Sequence, residues 1–291
     1  MALGYLSAML KSAQAGKYAI AAFNIIDYNS ARAVVDGAQE MNAPIIIQLS
    51  VKTIRLWGFK PIASWVHAFA ADVDIPVALH LDHCKDLDVI RGCIDAGWTS
   101  VMFDGSALPF DENVARSLEA YEIAQAAGVG LEAELGAIGG TEDDKFVAED
   151  EAILADVDEC IAFCAAMPKL ATFAPAFGTA HGFYKGEPKI AYDRLERITS
   201  KVDIPIALHG GTGLTEQQFE RCIQSGCAKV NISTMHKQQF IDGFADLRRK
   251  EPTNNEPIPY IAAQYDAMKS GVKQMIGLFG SDGKASVTAA R

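Results

Sequence analysis

Asp82 and His83 close the apolar run Pro76-Val77-Ala78-Leu79 within the stretch HLDHC. Ionisable groups at the end of a buried strand are costly unless something compensates them, and a metal ion does so. His181 and His209 follow later apolar runs, and the runs between end in Asp104 and Glu134. Three neutral imidazoles form an open Zn2+ site that leaves room for substrate or water. The spacing of His83, His181 and His209 matches no local zinc motif, so the weight falls on the elements that carry them. His80 is expected to point away from this site as a satisfied interior histidine, and His67 and His236 are read as non-ligands.

Two turns could hold an anion. HGGTG, from His209 to Gly213, opens one helix, and NIST, from Asn231 to Thr234, opens the next. Glycine lets the backbone approach closely, and N–H groups at a helix start face negative charge. Thr212, Ser233 and Thr234 can add hydroxyl donors, although ordinary N-capping explains either turn alone. A third segment, GAIGGTEDDKFVAE (Gly136–Glu149), carries Glu142, Asp143 and Asp144 just after Gly139 and Gly140. A loop acid next to a metal rim could deliver a general acid or base on closure, whereas a charge run on a loop is ordinarily just solvated.

These residues need a scaffold. Eight apolar stretches read as strands: 18–23, 44–49, 76–81, 99–103, 129–134, 171–176, 204–208 and 227–231. Most are continuous rather than alternating, as expected of parallel strands covered on both faces. Helical stretches lie between them at Ser30–Met41, Leu87–Ala96, Asn113–Ala127, Asp150–Met167 and Thr215–Ser225. Eight βα units predict a single (β/α)8 barrel over residues 1–291, with an N-terminal helix ending near Gly16 and a C-terminal helix around Tyr265–Phe279. A doubly wound sheet is the alternative, but no GxGxxG follows the first strand. In such barrels the chemistry sits at the C-terminal strand ends. The candidates fall there: Asn24, Ser50, Asp82-His83, Asp104, Glu134 and Asn231, with His181 and His209 just beyond theirs.

Composition bounds the partners. Of 291 residues, 26 are Lys or Arg against 37 Asp or Glu, a net charge of -11. This argues against a general nucleic-acid or acidic-membrane binder. No apolar run reaches transmembrane length, and the N-terminus makes a poor signal peptide. The six cysteines are scattered without a CxxC pair, so reduced thiols and a cytoplasmic location are expected.

A Lewis-acidic metal, a neighbouring carboxylate and a phosphate cradle suit aldol chemistry. The metal polarises a ketone of a sugar phosphate, Asp82 takes the proton of a hydroxyl β to it, and the C–C bond breaks to an enediolate. Glu142 is the candidate for its protonation. A Schiff-base mechanism needs a rim lysine, and Lys229 falls within its strand. A metal-dependent sugar-phosphate isomerase or epimerase shares the enediolate and remains the alternative. A non-catalytic sugar-phosphate binder predicts lost ligands, whereas every expected polar position is filled.

ALHLDHCKDLD, SVMFDGS, LEAELGAIGG, AFGTAHGFYKGEPK, IALHGGTGL and KVNIST, in this order, resemble the class II, metal-dependent ketose-phosphate aldolases of the fructose- and tagatose-bisphosphate type. The resemblance implies catalytic Zn2+, a dihydroxyacetone-phosphate product and a homodimer or homotetramer. It implies His83, His181 and His209 as zinc ligands and Asp82 as the catalytic acid/base. Asp104 and Glu134 become acids able to hold a second or displaced metal, and Glu142 the loop acid. Gly182, Gly210, Gly211, Thr212, Asn231, Ser233 and Thr234 then form the phosphate region, with a monovalent cation (Na+ or K+) beside it. Two stretches depart from the family pattern. Ser50 runs into Val51-Lys52-Thr53-Ile54-Arg55, and Glu256-Pro257-Ile258-Pro259-Tyr260 lacks the arginine that grips a distal phosphate in bisphosphate-cleaving relatives. The expected substrate therefore lacks a second phosphate or binds it through Arg55 or Lys52.

Overall fold

Apolar side chains fill both faces of the runs Ile45–Ile47 and Val77–Leu79, and such strands are stable when covered on both sides. A computed structural model of the chain builds them into a closed barrel. It describes residues 3–142, 145–147, 153–184 and 186–288, and of residues 141, 142, 145–147, 287 and 288 the backbone alone. The strands are β1 (Ile20–Asn24), β2 (Ile45–Ser50), β3 (Val77–Cys84), β4 (Ser100–Phe103), β5 (Gly130–Leu135), β6 (Gly139–Glu142), β7 (Lys145–Val147), β8 (Thr172–Pro175), β9 (Ala180–His181), β10 (Ile206–Leu208) and β11 (Cys227–Ile232). Eight of them close in the order β1-β11-β10-β8-β5-β4-β3-β2, all parallel, with helices between them in sequence: the (β/α)8 barrel that the sequence predicts.

Register stacks the interior in layers. Near the N-terminal end Ala22 pairs with Ile46, and Ile46 with Ala78. The helix Leu6–Gly16 closes this end: Leu6, Met9, Leu10 and Ala13 cluster with Ile20, Ala22, Ile46, Ala78, Ala171 and Ala228. Two residues further along, Asn24 pairs with Gln48, Gln48 with His80 and His80 with Ser100. Two further still, Ser50 pairs with Asp82. The interior therefore changes from apolar to polar toward the C-terminal mouth.

Three elements differ from the sequence reading. The segment expected as a long loop after β5 contains a hairpin of β6 and β7, and β9 adds to it in parallel, giving a small sheet β7-β6-β9. The alternation in Lys145-Phe146-Val147 was too short to register as a strand, and glycines at 139 and 140 concealed its partner. The helix expected from Asp150 begins at Val157, where Asp156 caps it by accepting from the N–H groups of Asp158 and Glu159. The last long helix starts at Pro257 rather than near Tyr265, because proline at the first helical turn loses no hydrogen bond.

All six cysteines are buried and free. Burial pushes the Cys84 thiol up to about 11 and that of Cys160 to about 12, which keeps both unreactive. No helix among the described residues is long and apolar enough to cross a membrane.

His236 is fully buried, with its ring 5.1 Å from that of Phe23. Burial pushes its pKa from 6.5 down to about 4, against a smaller opposing influence from Gln239. Above pH 6.5 the imidazole is neutral in both states, so it leaves stability unchanged there. As pH falls from 6.5 toward 4 the unfolded chain takes up a proton that the folded one refuses, and stability drops, by about 3 kcal/mol in all. His236→Leu is expected to flatten the stability–pH curve in that window by a comparable amount, read from urea unfolding at a series of pH values. An unchanged slope counts against this account.

Candidate metal and phosphate site

Successive side chains on a strand point to opposite faces, so regular geometry would separate Asp82 from His83. A bulge removes the conflict. The register of β3 against β4 shifts between Leu81 and Cys84, and His83 takes φ 42°. A left-handed non-glycine residue costs of order 1–3 kcal/mol and persists where its surroundings enforce it. Here the His83 N–H donates to Met102 Sδ at 3.3 Å, and His83 Nδ1 lies 3.2 Å from Asp104 Oδ2.

His209 follows β10 and is buried. Its Nε2 lies 2.7 Å from Glu132 Oε1, so that nitrogen carries the hydrogen, and its Nδ1 lies 2.9 Å from His83 Nε2. His181 arrives on β9, and its ring centroid stands 5.2 Å from that of His83 and 6.0 Å from that of His209. One nitrogen from each histidine falls within 4.8 Å of the others. Two of the three thus turn their outer nitrogen to a carboxylate and their inner nitrogen to a shared point, the usual second-layer support of metal-bound imidazoles. Tetrahedral zinc with about 2.0–2.1 Å bonds to nitrogen sets its ligands about 3.3 Å apart, so the donor set fits such an ion.

The two predicted acids take different places. Asp104 Oδ2 supports His83, while its Oδ1 accepts from Ser106 N–H at 3.1 Å and Ser106 Oγ at 2.6 Å. Glu134 Oε2 lies 3.4 Å from His209 Nδ1 and 3.7 Å from His83 Nδ1, closer to the shared point. His83, Asp104 and Glu134 form a second group with donor atoms within 4.8 Å. Burial pushes Glu132 up, but the Lys229 ammonium 2.9 Å away and the His209 hydrogen bond override it and hold the carboxyl below the ordinary carboxylate range. Burial pushes His209 down, opposed in part by Glu132. His80 is pushed well down by burial and then by the Lys229 charge. It is an interior histidine as expected, one layer below the rim with Nδ1 3.0 Å from Ser100 Oγ. It does not point away from the site, however: it shares the strand face of Asp82, two residues on, and its Nε2 lies 3.4 Å from Glu132 Oε2.

Asp82 gathers three amide donors. Asn24 Nδ2 donates to Oδ2 at 2.8 Å, Gln48 Nε2 to the same oxygen at 3.3 Å, and Asn231 Nδ2 to Oδ1 at 3.3 Å. Ser50 stands beside it in register, with Oγ 3.5 Å from Thr53 Oγ1. Beyond His181 lies a small polar pocket. Gly182, Gly210, Gly211, Thr212, Asn231, Ser233 and Thr234 line it, as do His181 and a residue the sequence reading passed over, Lys237. Lys237 follows Thr234 by one helical turn, and that spacing was the available signal. Glu142 lies on β6 with its side chain outside the described residues, as are Asp143 and Asp144 altogether. Lys52 and Arg55 are exposed on the helix Val51–Trp57 that begins directly after Ser50.

Glycine holds the His181 segment from two sides. Gly210 (φ 72°) and Gly140 (φ 98°) are left-handed, and a Cβ on either would be driven into the backbone of Ala180 and His181 respectively. Gly210→Ala is expected to cost about 1–3 kcal/mol from backbone strain alone and to lower the metal content of the purified protein. Urea midpoints and metal-to-protein ratios measure the two effects.

A barrel with its polar groups gathered at the C-terminal mouth has the architecture of an enzyme. The model of the family "Fructose-bisphosphate aldolase class-II" matches residues 5–284, so the chain belongs to that family. It is a class II aldolase, a carbon–carbon lyase of a metal-dependent family. It is 39% identical over 289 residues to the fructose-bisphosphate aldolase of Geobacillus stearothermophilus, covering 98% of this chain and 100% of that one. It is 36% identical over 285 residues to the sulfofructosephosphate aldolase of Alkalicoccus urumqiensis, covering 97% and 99%. The crystal structure of the YdjI aldolase from Escherichia coli K12 superimposes with a TM-score of 0.85 at 28% identity, covering 97% of this chain and 99% of that one.

Proposed function

We propose that the protein reversibly cleaves a ketose phosphate to dihydroxyacetone phosphate and an aldehyde, with zinc held by His83, His181 and His209. The convergence of three imidazole nitrogens within 4.8 Å beside Asp82 carries this reading. The bound metal would supply Lewis acidity to the ketone and stabilise the charge that develops as the C–C bond breaks. Asp82 takes the proton from the substrate hydroxyl in cleavage and returns it in condensation. Its three amide donors stabilise the carboxylate and fix its direction. Asn24 and Ser50 line the substrate beside it. The pocket at Gly182, Gly210, Gly211, Thr212, Asn231, Ser233 and Thr234 holds the phosphate through N–H and hydroxyl donors, with Lys237 adding charge and a monovalent cation beside it. Glu142 serves the second proton transfer from the β6 hairpin, and Asp104 and Glu134 can take a displaced metal.

Arg55 and Lys52, in place of the missing tail arginine, read the far end of the substrate. Two relatives carry the names of sulfofructosephosphate and fructose-bisphosphate aldolases, so anionic far ends of both kinds belong in the test. Release of dihydroxyacetone phosphate from fructose 1-phosphate, fructose 1,6-bisphosphate, tagatose 1,6-bisphosphate and sulfofructose 1-phosphate, with metal analysis, tests the reading. A strong bisphosphate preference that survives loss of both Arg55 and Lys52 overturns the assignment of the far end. Absence of cleavage in the zinc-loaded protein overturns the whole.

The reading includes a cytoplasmic homodimer or homotetramer. Ile241, Phe244, Ile258 and Ile261 are 43–66% exposed on the helices Thr234–Lys250 and Pro257–Leu278, an apolar face suited to a second copy.

A further inference from the structure

Lys229 is fully buried below the rim, and its ammonium has two partners. Nζ lies 2.9 Å from Glu132 Oε2 and donates to Asn231 Oδ1 at 2.6 Å. Each partner passes the interaction on. Glu132 Oε1 accepts from His209 Nε2 at 2.7 Å, and Asn231 Nδ2 donates to Asp82 Oδ1 at 3.3 Å. One charge therefore stands behind a metal-facing histidine and behind the proton-handling carboxylate.

We infer that Lys229 is a positioning residue that sets two polarities at once, the tautomer of His209 and the orientation of the Asn231 amide. This rests on the aldolase site proposed above. An amide can be turned end for end at little cost unless its partners differ. The ammonium offers donors alone, so Asn231 must present its oxygen to Lys229 and its NH2 to Asp82. Likewise, the charge on Lys229 anchors Glu132 as an acceptor, so His209 keeps its hydrogen on Nε2 and turns the Nδ1 lone pair inward. The same engagement explains why Lys229 is no nucleophile: its nitrogen is held by two partners in a fully buried position.

Lys229→Met removes the charge at similar length. It is expected to weaken Zn2+ binding about 10- to 100-fold, measured by chelator competition without substrate. At saturating zinc its kcat is expected to fall at least tenfold. Both losses should be non-additive: the double variant with Glu132→Gln binds zinc no worse than the worse single, and the double with Asn231→Ala has a kcat no lower than Asn231→Ala alone. Wild-type zinc affinity and kcat in folded Lys229→Met, or losses that simply add, overturn the inference. Should Lys229→Met fail to fold, Lys229→Gln offers a donor without the charge and must still bind zinc at least tenfold more weakly; wild-type affinity there overturns it equally. If wild-type protein cleaves no ketose phosphate, the aldolase reading fails, while the zinc titrations still decide the His209 arm.

Discussion

Asp82→Asn is expected to lower kcat for ketose-phosphate cleavage by about 10^2- to 10^4-fold, the range of a positioned general acid/base. The substitution keeps the shape of the side chain and removes its basicity. It also disturbs the site electrostatically. Asn24, Gln48 and Asn231 all direct NH2 groups at Asp82, and an amide at position 82 must set its own NH2 against one of them. Zinc content should stay near that of the wild type, because the nearest imidazoles are supported by Asp104 and Glu132 rather than by Asp82. A coupled assay for dihydroxyacetone phosphate with metal analysis separates the two effects. A kcat within tenfold of wild type assigns the proton transfer to another group.

His209→Ala is expected to act more broadly. It deletes one of three nitrogen donors and leaves Glu132 Oε1 buried without the N–H it accepts. Lewis-acid stabilisation is worth several kcal/mol, and each ~1.4 kcal/mol is tenfold, so activity should fall by about 10^3- to 10^4-fold. Stripping the wild type with a chelator should give a similar loss that added Zn2+ reverses, whereas added Zn2+ should not restore His209→Ala. The Oε1 oxygen left without its donor adds a stability loss of about 1–3 kcal/mol, visible in urea unfolding. Full activity after exhaustive chelation rules out a metal role.

Much of this architecture was legible in the residues. Continuous apolar runs announced parallel strands, and polar residues at their ends announced the mouth. A deeper layer was also written there, two positions earlier on the same strands: Gln48 before Ser50, His80 before Asp82, Glu132 before Glu134 and Lys229 before Asn231. Strand alternation puts each on the face of its successor, so parity alone could have found the network under the rim. Searching strand ends alone excludes Lys229, which lies within its strand. Other features left no such trace. The bulge at His83 depends on a φ of 42° that no residue type there announces. The pairing of β6 with β9 joins segments about 40 positions apart, which local periodicity does not encode.

The attachment of β9 to β6 has a thermodynamic consequence. His181 belongs to a strand outside the barrel wall, and Gly140 of the hairpin pairs with it directly. Any excursion of the hairpin that drags β9 along withdraws one donor while the other two stay fixed to the rigid wall. Ion occupancy and hairpin docking are then linked equilibria, and linkage is reciprocal: a bound ion slows amide exchange at Gly139 and Gly140 by the same free energy with which docking tightens the ion. An ion at this site would be held most tightly when β6 is paired with β9.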